Sequence, residues 1–201
     1  MGAENIDLPS FPDAALLRSG LEEHMEVFRR LSPLASVIQQ TGRVLAATLS
    51  AGGKLLLCGN GGSAADSQHI AAELSGRFLK DRRPLAAVAL STDTSALTCI
   101  ANDYGFDEVF SRQVVALGRK GDCLLAISTS GNSRNVLRAA EVARAAGIQV
   151  IGLLGRDGGA LRALCDTAIV VPSATTARIQ EAHIFIGHTL CAMVEEAMGL
   201  A

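Results

Sequence analysis

Tryptophan is absent from this chain, tyrosine occurs once and phenylalanine six times. So few aromatic rings leave little surface on which unpaired bases could stack. Charge of one sign is also lacking: the formal net charge is −2, which argues against a basic face for nucleic acid. No apolar run approaches the ~20 residues of a membrane-spanning helix, so no membrane partner is expected. The five cysteines, Cys58, Cys99, Cys123, Cys165 and Cys191, form no CxxC pair. Being odd in number and mostly inside apolar runs, they read as reduced, buried thiols of a cytoplasmic protein rather than a disulfide framework. The N-terminal stretch carries acidic residues and prolines instead of a basic region followed by an apolar run, so no signal peptide is expected. No low-complexity linker divides the 201 residues, which suit one domain over 1–201.

What is present is aliphatic. Nearly half the residues are hydrophobic, and the stretch from Leu55 to Glu73 organises them. Leu55-Leu56-Leu57-Cys58 reads as a buried parallel strand. Gly59-Asn60-Gly61-Gly62 is a tight turn whose glycines permit positive φ and close backbone approach. A helix follows, with Asn60 or Ser63 as its expected cap. The N–H groups at such a helix start favour an anion, typically a phosphate. The same turn also serves as an ordinary sharp corner in α/β proteins, and this stretch alone does not separate the two. It has neither the G-x-G-x-x-G spacing nor a Gly-Lys-Ser/Thr ending. His69 and Glu73 stand four residues apart on one helical face, as a base or metal pair would.

Along the chain, residues 1–12 read as a loose leader. Two helices follow, about 14–31 and 33–50, and give an N-terminal helical extension of about 13–51; His24 on the first is read as surface or interface. Strands are expected at 54–58, 85–90, 123–127, 149–154 and 167–171. Between them lie helices over about 63–78, a short one toward 102, 106–117 and 134–146, and a long one closes the chain over 176–198. Alternation of this kind means a three-layer α/β sandwich with a five-stranded parallel sheet. Ligands in such sheets bind beyond the carboxyl ends of the strands.

The loop Ser128-Thr129-Ser130-Gly131-Asn132-Ser133 sits at such an end, with four hydroxyls in six residues. Hydroxyls and backbone N–H groups suit the three oxygens of a phosphate; the bland alternative is a hydroxyl-rich cap and turn. Following Leu124-Leu125-Ala126-Ile127, this loop resembles the phosphosugar loop of the sugar isomerase (SIS) domain, a flavodoxin-like fold. Cys58 through His69 with Glu73, Ala101 through Phe106, and Arg178 through His183 resemble one branch of that family, the phosphoheptose isomerases, nearly end to end.

Membership of that branch implies a specific activity: an aldose–ketose isomerase converting sedoheptulose 7-phosphate to D-glycero-D-manno-heptose 7-phosphate, the first step of ADP- or GDP-heptose biosynthesis. It implies one zinc ion per subunit, held by His69, Glu73, Gln180 and His188. It also implies a homotetramer with site residues shared between subunits. Imidazole and carboxylate suit zinc, and an amide oxygen is a less usual ligand. Spacing alone would not select this set. Gln180 and His188 are about 12 Å apart along a helix, Glu181 shares a face with His188 better, and His183 is a third local candidate, read as structural or as support for a ligand. Moving a proton between two carbons requires a base, an acid and charge stabilisation at oxygen. Glu73 is assigned as base and His188 as acid. Ser63, Ser128, Thr129, Ser130 and Ser133, with Gly61 and Gly62, are assigned to the phosphate. Asn60, Asp66, Asp93 and Thr94 are assigned to sugar hydroxyls. A non-enzymatic relative that binds the replication initiator DnaA shares the serine loop. By the resemblance it lacks the counterparts of Glu73 and His188, both of which stand here.

Overall fold

The structure, a computed structural model, describes residues 14–201; the expected leader over 1–12 lies outside the described residues. Helices α1 (Ala15–Arg29) and α2 (Ala35–Ser50) come first. Next are β1 (Leu55–Cys58), α3 (Gly62–Ser75), β2 (Ala87–Ala89), α4 (Thr94–Tyr104) and α5 (Ser111–Leu117). The chain closes with β3 (Cys123–Ser128), α6 (Arg134–Ala145), β4 (Gln149–Gly155), β5 (Thr167–Val171) and α7 (Thr176–Ala197).

All five strands pair in parallel, in the order β2-β1-β3-β4-β5. Their continuous apolar runs follow from burial on both faces. Leu55, Leu57, Cys123, Leu125 and Ile127 face one core with α2, α3 and α7. Leu56, Cys58, Leu124 and Ala126 face the other with α5 and α6. Alternation with period two thus divides the side chains of one strand between two cores. Burial pushes the Cys58 and Cys123 thiols up to about 12, so they stay neutral as the sequence led us to expect. Cys99, by contrast, is exposed.

The sheet reverses direction between β1 and β3. From β1 the chain crosses to β2 on one side, then returns to build β3, β4 and β5 on the other. At such a reversal neighbouring loops diverge and open a crevice at the strands' carboxyl ends. The glycine turn after β1 and the serine loop after β3 flank it. At the opposite end of the same two strands, Asp122 binds Lys54 Nζ at 2.6 Å and the backbone N–H groups of Lys54 and Arg119 at 2.9 and 2.7 Å. Burial pushes the Asp122 carboxyl up, and these donors more than offset it, leaving it below the usual range.

Two expected elements differ. The strand at 85–90 is shorter, because β2 is an edge strand with a partner on one side only. The helix expected over 106–117 is broken into a 3-10 turn at Phe106–Glu108 and α5. The Ser111 hydroxyl donates to the Glu108 carbonyl there, at the step between the two pieces.

Candidate active site

The cap expected for α3 is not made by a side chain. Gly61, at φ 55°, occupies the cap position, and no side-chain cap bond is present there. Ser63 lies inside the helix and is buried. Asn60 points elsewhere: its amide exchanges two hydrogen bonds with the Asn135 amide, each 2.9 Å. Ser133 at the start of α6 also makes no side-chain cap bond. Two helix N-termini therefore meet the crevice without side-chain caps, the arrangement in which first-turn N–H groups can hold an anion.

The serine loop is braced from inside and from beneath. Ser128 Oγ accepts from Gly131 N–H at 3.1 Å and lies 3.2 Å from Ser133 Oγ. Ser130 Oγ accepts from Asn132 N–H at 3.2 Å. Gly131 adopts φ 65°, and a Cβ there would overlap the Gly158 carbonyl. Leu161 N–H donates to the Gly131 carbonyl at 2.9 Å, and Ala160 N–H to Asn132 Oδ1 at 3.0 Å. Ser128 is buried, while Thr129, Ser130 and Ser133 are half-buried. Ser63 and Ser128 are thus covered, while the other three hydroxyls retain partial exposure beside the α6 N-terminus.

Two turns down α3 lies a second cluster. His69 Nε2 is 3.1 Å from Glu73 Oε1, His188 Nε2 is 3.1 Å from His69 Nε2, and His188 Nε2 is 3.4 Å from Glu73 Oε1. Close helix approach makes this possible. A Cβ on Gly187 would meet Ile70 at 2.7 Å, so the absent side chain lets α7 lie against α3 where His188 faces His69. The three atoms form a triangle. In a tetrahedron with metal–ligand bonds of ~2.0–2.2 Å the ligands stand about 3.3 Å apart, and the observed edges match. Two imidazoles and a carboxylate are also a usual zinc donor set, so the residues fit a zinc ion. Glu73 Oε2 is buried with no hydrogen-bond partner among the described residues. Cys191, one turn beyond His188, is buried, and burial first, then the Glu73 carboxylate, push its thiol up.

Asp66 is one turn above His69. Burial pushes its carboxyl up to about 6, against a smaller downward pull from His69 and His188, and its Oδ2 is buried without a hydrogen-bond partner among the described residues. Asp93 caps α4, accepting from Ala96 N–H at 3.0 Å, and Thr94 follows it, exposed. Gln180 is not in the triangle: its amide rests on Gly62, seven residues and about 10 Å up α3 from His69. Glu181 turns away to His24, at 2.8 Å, and Arg178, at 2.9 Å. His183 is fully buried and bonds the Leu154 carbonyl at 3.0 Å. Asn135, which ties the two loops together, was missed in the sequence. Its position directly after the serine loop is the only local signal for it.

A family model described as the SIS domain matches residues 21–155. A phosphoheptose isomerase of Rhodospirillum rubrum is 54% identical over 182 residues, covering 90% of this chain and 97% of its own. One from Nitratiruptor is 57% identical over 178 residues, covering 88% of this chain and 95% of its own. Among solved structures, phosphoheptose isomerase GmhA from Neisseria gonorrhoeae superposes with a TM-score of 0.86 at 47% identity, covering 90% of this chain and 98% of its own.

Proposed function

Since the chain belongs to the SIS-domain family, within its phosphoheptose isomerases, we propose that it converts sedoheptulose 7-phosphate to D-glycero-D-manno-heptose 7-phosphate, opening heptose nucleotide biosynthesis. The observation that carries this reading is the layout along α3. A helix start without a side-chain cap lies at one end, and an imidazole–carboxylate triangle lies about 10 Å further on. An extended seven-carbon chain with a terminal phosphate spans such a distance.

In this reading Thr129, Ser130, Ser133 and the open N-termini of α3 and α6 bind the phosphate, with Gly61 and Gly62 allowing close approach. Ser63 and Ser128 support them from within. Asn60, Asp66, Asp93, Thr94 and Gln180 are assigned to contacts with the sugar. At the carbonyl end, Glu73 takes the proton from carbon and returns it to the neighbouring carbon, while His188 exchanges a proton with oxygen. His69 stands 3.1 Å from both and completes the triangle with them. His69, Glu73 and His188 would hold the zinc ion; Gln180, which the resemblance names as a fourth ligand, rests on Gly62 instead. A tight ligand is not also a free acid or base, so the contacts of Glu73 and His188 to the ion would change during turnover. When bound, zinc supplies electrostatic stabilisation of negative charge on the substrate oxygens.

The assigned setting is cytoplasmic. The expected homotetramer is supported by the outer face of α1, where Leu16, Leu17, Leu21 and Met25 are exposed, and by Phe185, also exposed, packed on Phe28 of the same helix; apolar patches of this kind mark association surfaces. Light scattering is expected to give four times the chain mass, and a monomer overturns that assignment. The function itself is tested by supplying sedoheptulose 7-phosphate to purified protein, with zinc or with a chelator, and following the aldose product. Turnover that the chelator suppresses is expected, and no turnover with zinc supplied rejects the proposed substrate.

A further inference from the structure

The two helices that bear the triangle are joined again, further along, by a buried ion pair. Arg82 Nε lies 2.7 Å from Glu195 Oε1, and the two side chains are 2% and 1% exposed. Glu195 is seven residues past His188 on α7, two turns along the same face. Arg82 lies in the connector after α3 and reaches back to that helix's end. Its Nη2 donates to the Glu73 carbonyl at 2.7 Å, and its Nη1 to the carbonyls of Leu74 at 2.8 Å and Gly76 at 2.9 Å. Helix-terminal carbonyls have no partner within the helix, and α3 has no basic residue in its own last turn to supply one.

Glu195 Oε1 also accepts from Phe78 N–H at 3.1 Å. The Phe78 ring stacks on His188 with centroids 5.8 Å apart. Burial pushes the Glu195 carboxyl up, and Arg82 and Phe78 more than offset it, leaving it below the usual range. One guanidinium thus grips the peptide carbonyl of Glu73 and the helix of His188 together. Only the planar fork of arginine offers enough donors in fixed directions to do so.

We infer that Arg82 and Glu195 are positioning residues, which hold the Glu73 carboxylate and the His188 imidazole at the separation where one ion and one substrate carbonyl meet both. The inference rests on the triangle being the reacting centre.

The variants are Arg82→Lys, which keeps the charge without the fork, and Glu195→Gln. Both are compared with wild type in protein carrying ring-labelled histidine, of which the chain has four. In both variants the His69 and His188 ring signals are expected to move while those of His24 and His183 hold. Zinc affinity, by chelator competition, is expected to fall about 10- to 100-fold. kcat should fall with it and KM change little, since the phosphate-facing loops lie at the other end of α3. Unmoved ring signals with wild-type zinc affinity overturn the inference, even if the variants melt earlier. If a single variant fails to fold, Arg82→Met combined with Glu195→Leu fills the volume without charge, and the same ring signals decide. If wild type does not convert the sugar phosphate, the proposed substrate falls, and the ring signals still judge the pair.

Discussion

Asn60 and Asn135 exchange amide hydrogen bonds in both directions, each 2.9 Å, across 75 residues of sequence. The pair locks the turn after β1 to the first turn of α6, across the point where strand order reverses. It ties the two segments together while leaving both helix starts without side-chain caps.

Replacing Asn135 with alanine removes both bonds and leaves the Asn60 amide without its partner. A net bond contributes about 1 kcal/mol and an orphaned polar group costs about 1–3 kcal/mol. The expected loss in stability is therefore about 2–3 kcal/mol, read by urea unfolding. On the proposed reading, in which the loops hold the phosphate and not the carbonyl, KM for the sugar phosphate should rise more than kcat falls. A variant that loses kcat alone contradicts that division.

Glu73→Gln keeps the shape of the side chain and removes its basicity. General-base catalysis contributes about 10²–10⁴-fold, and a fall in kcat of that order is expected with little change in melting temperature. An unchanged rate rejects Glu73 as the base without touching the assignment of the phosphate loops.

His183 has a pH signature of its own. Burial pushes its imidazole down to about 4, the bond to the Leu154 carbonyl opposing weakly. Nε2 must carry the proton to donate that bond, and Nδ1 is buried with no partner among the described residues, so a second proton would sit unsatisfied. The folded value lies below the unfolded 6.5, so the unfolded chain takes up the proton first as pH falls. Stability from this group is complete above about pH 6.5 and is lost between there and about 4, by about 3 kcal/mol in all. Asp66, pushed up toward 6, acts with opposite sign in part of that range. The difference between wild type and His183→Gln, measured by denaturant titration from pH 8 to 4.5, isolates the imidazole. A flat difference contradicts the assignment.

Much of this protein was written locally. Apolar runs such as Leu55–Cys58 and Cys123–Ile127 named the strands, because a strand covered on both faces needs no polar positions. Glycines marked the turns, and four-residue spacing placed His69 beside Glu73. Packing between distant segments decided the rest. His188 meets His69 because Gly187 admits Ile70, and no periodicity records a contact between those two helices. Asn60 looked like a helix cap and became half of an amide pair, since its partner stood 75 residues away. Gln180 rests on Gly62, and Arg82 finds Glu195 across 113 residues. Sequence carries what each residue prefers with its neighbours in the chain, whereas the partner of a buried polar group is chosen by the topology that brings two remote segments to the same place.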